Sequence, residues 1–121
     1  MMKVGGFLQE SINDKFHDAE IYCIKINKNS LDLYLSLINK IDKVIIFVSP
    51  VFWEFTSFEQ QNVIFEFSTF DRKTIPDFLL EEYPELNNFK MSSYQISYLD
   101  SSIGLGGIIV HELLEILEIN K

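Results

Sequence analysis

Apolar positions recur along this chain at two different spacings, and the elements they predict form a mixed order. Over Phe7–Glu20 the apolar residues Phe7, Leu8, Ile12 and Phe16 lie roughly one helical turn apart, with polar residues between them. That spacing predicts a helix. Ile21–Asn27 alternates instead, with Tyr22, Ile24 and Ile26 forming one consistently apolar strand face. Asn29 or Ser30 is a suitable N-cap for a helix over Leu31–Lys40, in which Leu31, Leu35 and Ile38 form the apolar stripe with Tyr34 beside them. Val44–Val48 is a continuous apolar run, as a strand covered on both faces requires. Strand, helix and strand in that order predict a βαβ unit whose two strands are parallel.

Ser49-Pro50 reads as the start of another helix, with Ser as cap and Pro at the first helical position. Val51, Phe55, Phe58 and Phe65 would share one of its faces. Within Asn62–Phe67, Val63, Phe65 and Phe67 also fit strand alternation, and helix to about Phe70 is the reading adopted. Pro76–Tyr83 predicts a short helix ended before Pro84. Ser93–Leu99 reads as a third strand, and Gly104, Gly106 and Gly107 as a flexible turn into a last helix over Ile108–Ile119. The expected architecture is one domain over residues 1–121, of α+β or α/β class. Its sheet would have about three strands, two of them parallel, packed with helices.

Composition supports a folded chain with a core of its own. Of the 121 residues 47% are hydrophobic, and eleven Phe and five Tyr predict a core dominated by Phe. One cysteine, Cys23, excludes an intrachain disulfide. Met1 to Gln9 holds one Lys and no long apolar run, and no run approaches the ~20 residues of a membrane span. Neither a signal peptide nor a membrane segment is read, and the cytoplasm is the expected compartment.

Two motifs suggest chemistry, and each has a plainer reading. His111-Glu112-Leu113-Leu114-Glu115 is close to the His-Glu-x-x-His of zinc proteases, in which two histidines one turn apart share the metal. Here Glu115 stands where the second histidine belongs, and the chain's other histidine is the distant His17. An amphipathic helix with Leu113, Leu114, Ile116 and Leu117 facing the core accounts for the pattern, so no metal is expected at His111. Gly104-Leu105-Gly106-Gly107 invites a phosphate-loop reading, but no Gly-Lys-Ser/Thr follows and the acids beyond it oppose phosphate. A turn explains the glycines. Cys23, mid-strand with no charge nearby in sequence to lower its pKa, reads as a structural thiol. No catalytic residue and no cofactor are assigned.

Charge is the stronger signal. The net charge is −8; residues 1–75 hold ten acids and eight bases, and residues 76–121 hold eight acids and two bases. Nucleic acids and anionic membranes would be repelled, and a basic macromolecule attracted. On the predicted last helix Glu112, Glu115 and Glu118 recur every three residues as a stripe. Glu81, Glu82 and Glu85 cluster around Tyr83, and Trp53, Tyr94 and Tyr98 are further aromatic anchors for an interface. In length, acidity and this pairing of aromatic with acidic residues, the whole chain resembles the immunity proteins of bacterial toxin–immunity systems, including the contact-dependent inhibition type. The resemblance implies a protein that is not an enzyme and that neutralises one cognate toxin domain, often a basic nuclease. It carries no family residues over. The expected contact residues, Glu112, Glu115, Glu118, Glu81, Glu82, Glu85 and Tyr83, come from the charge pattern alone. Two other classes stay open: a homo-oligomeric or adaptor module, and a small enzyme using carboxylates around His111.

Overall fold

The computed structural model describes residues 16–71, 73–89 and 92–119, and the backbone of residues 2–4. Nine strands account for most of it: β1 (Met2–Val4), β2 (Glu20–Ile26), β3 (Ser30–Ser36), β4 (Asp42–Val48), β5 (Phe52–Phe55), β6 (Val63–Phe70), β7 (Gln95–Ile103), β8 (Gly107–His111) and β9 (Leu113–Glu118). One short helix, α1 (Asp77–Glu82), and a 3₁₀ helix (Pro84–Phe89) fall between β6 and β7. All strands belong to one sheet in the order β1-β9-β4-β3-β2-β6-β7-β8-β5, and every neighbouring pair is antiparallel.

The expected α+β or α/β class, with about three strands and a parallel pair, is therefore overturned. The helix expected over Leu31–Lys40 is β3, because Leu31, Leu33 and Leu35 are all fully buried at strand period while Ile38 is 68% exposed. A hairpin replaces the crossover, closed by the Asn27 N–H donating to the Ser30 carbonyl at 2.8 Å. The long helix expected after Ser49-Pro50 is β5, a loop and β6. Asn62 organises that loop: its Oδ1 accepts from the N–H groups of Glu59 and Leu105, both at 2.9 Å, and its Nδ2 donates to the Glu59 carbonyl. The helix expected over Ile108–Ile119 is β8 followed by β9. Its start, Ile108-Ile109-Val110, is β-branched throughout and suits a pleated, buried surface. Strands do occupy the segments read as strands near Ile21, Val44 and Ser93, and α1 lies where a short helix was expected. The helix expected from Phe7 falls largely outside the described residues.

Two strands bend and continue, and this closes the sheet. β4 and β5 are halves of one run, as are β8 and β9. β5 pairs with β8 and β4 with β9, the runs staying in register through the Val51 N–H to Val110 carbonyl and the Glu112 N–H to Val48 carbonyl bonds, both 2.9 Å. Between β4 and β5 the chain carries one extra residue, and Ser49 takes the left-handed φ of 52° that this bulge demands. The β9–β4 pair near one end of the strand order is thus continuous with the β8–β5 pair at the other, and the sheet wraps into a barrel around one apolar interior, with one side of β5 left unpaired among the described residues. Leu33, Ile45, Phe67, Leu99, Ile109 and Leu114 line that interior. Phe67 anchors it, with Phe16 and Phe47 edge-on at 6.0 and 6.1 Å. Those three Phe are fully buried, but Phe58, Phe65 and Phe78 are about half exposed, so the interior is mainly Leu and Ile. On β2 the inward residue is Ile21. A register shift between Ile21 and Cys23 leaves Tyr22 and Ile26 exposed, against the apolar face expected of them.

A second apolar layer lies outside the barrel. Leu79 and Tyr83 of the α1 segment and Leu86 of the 3₁₀ helix pack on Ile96 of β7 and on Ile108 and Val110 of β8. β8 is therefore buried on both faces. Gly107 marks the closest approach there: its φ is 145°, and a Cβ would lie 2.0 Å from the Glu54 carbonyl oxygen of β5. Among the described residues no helix is long and apolar enough to cross a membrane.

Candidate functional site

The acids expected to act together are separated by the fold. Glu112 is exposed at the bend between β8 and β9; Glu115 is half-buried on β9; Glu118 is exposed near its end. Residues three apart share a helix face but point to opposite faces of a strand. Glu112 and Glu118 stand ~20 Å apart along an extended chain. The register also sets a lysine against one of them, Lys43 of β4 opposite Glu118. On the other cluster, Glu81 and Glu82 are exposed on α1, Tyr83 is buried at its end, and Glu85 is half-buried. One Glu85 carboxylate oxygen has no hydrogen-bond partner among the described residues. The two clusters do not meet: α1 lies over β7 and β8, whereas Glu115 and Glu118 sit on β9 between β4 and β1.

The structure gathers a different set of acids around two tyrosines. Tyr83 and Tyr98 face each other across a cleft of about 90 Å³ lined also by Thr56, Glu82, Asp100 and Gly107. Burial, then the negative charge of the neighbouring Glu82 carboxylate, then Tyr98 and Glu54, push the Tyr83 hydroxyl up to about 12. Burial followed by Asp100, Glu82 and Glu66 pushes Tyr98 up to about 12 as well. Both hydroxyls stay protonated, and both rings sit in a negative field made by Glu54 of β5, Glu66 of β6, Glu82 of α1 and Asp100 of β7. Phe78, half exposed, packs edge-on against Tyr98 at 5.6 Å and extends the aromatic surface.

Glu66 and Asp100 are direct cross-strand partners on the outer face. Like charges so placed oppose pairing by roughly 0.2–1 kcal/mol. The Ser68 hydroxyl donates to Glu66 at 3.3 Å, and among the described residues no Lys, Arg or His forms an ion pair with Glu66 or Asp100, so no base neutralises these carboxylates there. Carboxylates beside ring faces suit Lys and Arg side chains, which take salt bridges from the first and cation–π attraction from the second. The charge and aromatic pattern of the sequence points to Glu82, Tyr83 and Tyr98. Glu54, Glu66 and Asp100 were missed because only strand register brings them together.

His111, the centre of the near-zinc motif, is a structural group inside the barrel. It is fully buried, edge-on to Phe47 at 5.0 Å. The Leu113 carbonyl can only accept, so Nδ1 carries the proton and donates to it at 3.0 Å. Nε2 then accepts from the Ser97 hydroxyl at 2.7 Å, and Ser97 accepts from Thr69 at 2.9 Å. Burial pushes the imidazole down to about 4, partly opposed by the bond to Leu113. Ser97 is fully buried too, so this Ser–His pair meets no solvent-borne substrate. Among the described residues no three of His, Cys, Asp and Glu converge as metal ligands would. The Gly104–Gly107 turn is shaped by contact, since a Cβ at Gly104 would strike the Asn62 side chain at 2.3 Å. Cys23 is half-buried in a depression with Tyr22, Ile24 and Phe58.

Comparison with protein-family models, with curated proteins and with solved structures returns no match.

Proposed function

We propose that the protein binds and masks a basic protein domain through the acidic, tyrosine-lined face of β5, β6, β7 and α1. The resemblance to immunity proteins makes a toxin domain, commonly a nuclease, the expected partner. The observation that carries the reading is the Glu66–Asp100 pair, two carboxylates set opposite one another with no described base beside them. A fold keeps such a pair at some loss of stability, and a cationic partner relieves it. Encounter would be steered by Glu54, Glu66, Glu82 and Asp100, and dissociation slowed by packing on Tyr98 and Phe78.

The test is co-purification with the product of the adjacent open reading frame, followed by binding kinetics at two ionic strengths. Raising salt should cut the association rate far more than it raises the dissociation rate. Reversing Glu66 and Asp100 together (Glu66→Lys, Asp100→Lys) should slow association at low salt, while Glu115→Lys with Glu118→Lys on β9 should change it little. No complex, or an association rate indifferent to salt and to the Glu66/Asp100 reversal, would overturn the proposal.

A further inference from the structure

We infer that the free edge of β5 is a docking strand, which a basic partner extends by laying an extended segment of its own chain along Phe52–Phe55. This rests on the acidic face being the partner-binding surface and adds how the partner engages it. Among the described residues β5 ends the strand order, paired to β8 on one side only. The Thr56 N–H donates to the Gly106 carbonyl at 2.8 Å, which makes Thr56 and Gly106 a hydrogen-bonded pair. Antiparallel ladders alternate, so the N–H and C=O of Glu54 face β8 and those of Trp53 and Phe55 face away from it. No described residue takes a hydrogen bond from them. Exposed edges are usually blunted by Lys or Pro within the strand. Phe52-Trp53-Glu54-Phe55 has neither; its guards are its four-residue length, Pro50 before it and the charge of Glu54, which turns away acidic edges and admits basic ones, and Val51 and Trp53 are 44% and 37% exposed beside it.

Charge selects the occupant. A second copy of this chain, itself carrying −8, would bring Glu54 and its neighbouring acids against their own duplicates. An extended segment with Lys or Arg at alternate positions would instead set a cation beside Glu54 on the adjoining strand while its backbone completes the ladder, with Glu66 and Asp100, on strands further round the sheet, adding only to the attracting field.

The probe is a soluble octapeptide alternating Lys with Val, compared with one alternating Glu with Val. Amide hydrogen exchange is followed by NMR in the full chain. Without peptide, the Trp53 and Phe55 amides should exchange faster than that of Glu54, and the Lys peptide should slow both while the Glu peptide does not. Trp53→Pro, which removes an outward N–H from an edge position, should weaken the Lys peptide by about tenfold or more, whereas Trp53→Thr should keep most of the binding. If Trp53→Pro does not fold, Trp53→Lys serves the same end by placing a cation on the edge. Lys-peptide binding that is lost on reversing Glu66 and Asp100 but never protects the β5 amides would overturn the edge inference and leave the acidic surface standing. Equal protection by both peptides, protection by neither, or protection that grows with protein concentration alone would also overturn it, the last by making a second copy the occupant.

Discussion

With both its nitrogens engaged inside the barrel, His111 must stay neutral in the folded chain. Its pKa of about 4 lies below the ordinary imidazole value of 6.5. Between those values the unfolded chain takes up a proton that the folded chain refuses. The associated stability is therefore present in full above about pH 6.5 and is lost as the pH falls toward 4. Its size is on the order of 3 kcal/mol. Urea unfolding from pH 7 to 4.5 should show this loss, and His111→Gln should be less stable at pH 7 but flatter across the window. Equal slopes for the two proteins would mean that the imidazole is not held as described. Ser97→Ala tests the same chain of bonds from the other end. It strands the buried Nε2 without a donor, at a loss of about 1–3 kcal/mol at pH 7 in the same titrations.

At the level of elements, the choice between helix and strand turns on which apolar residues are inside. Leu33 is fully buried in β3 and Ile38 lies in the turn after it, so Leu33→Ala should destabilise by about 2–5 kcal/mol and Ile38→Ala by under about 0.5. A helix over Leu31–Lys40 would put Ile38 on the apolar stripe and predict a large effect there. Chemical denaturation of the two variants decides it. The β5–β8 pairing is equally specific. Gly107→Ala places a methyl against the Glu54 carbonyl at a φ few side chains tolerate, and should lower stability by on the order of 3 kcal/mol. A neutral Gly107→Ala, read from its urea midpoint, would mean that the two strands lie further apart.

Over the whole molecule, stability and binding should pull in opposite directions on the acidic face. Asp100→Lys turns a repulsive cross-strand pair into an attractive one with Glu66, so the free protein should gain a few tenths of a kcal/mol. The same change should slow association with a basic partner. Thermal unfolding and binding kinetics on one variant measure both. A variant that loses stability, or binds unchanged, would show that this pair is not the charge the partner meets. The reversal at Glu115 and Glu118 is the internal comparison, because those acids sit on β9, away from the acidic face, with Lys43 the register partner of Glu118.

Composition and local pattern alone determined that the chain folds around its own core, that it carries a surplus of negative charge, and that strands lie near Ile21, Val44 and Ser93 with a short helix between the last two. Those are properties of single segments. The tertiary structure decided what segments cannot encode by themselves. In Ile108–Ile119 the apolar residues are dense enough to satisfy both a 3.6 and a 2.0 period, and only the neighbours β4, β5 and β7 resolve the choice by supplying backbone partners to an extended chain. The same holds for Leu31–Ser36, where β2 and β4 complete the ladder. Once those segments are strands, the period of side-chain direction changes from about 3.6 to 2, and the stripe Glu112, Glu115, Glu118 is split between faces. The acids that do gather, Glu54, Glu66, Glu82 and Asp100, are up to 46 residues apart in sequence. Their meeting depends on which residue stands opposite which across a ladder, and a one-residue slip in register would send them elsewhere.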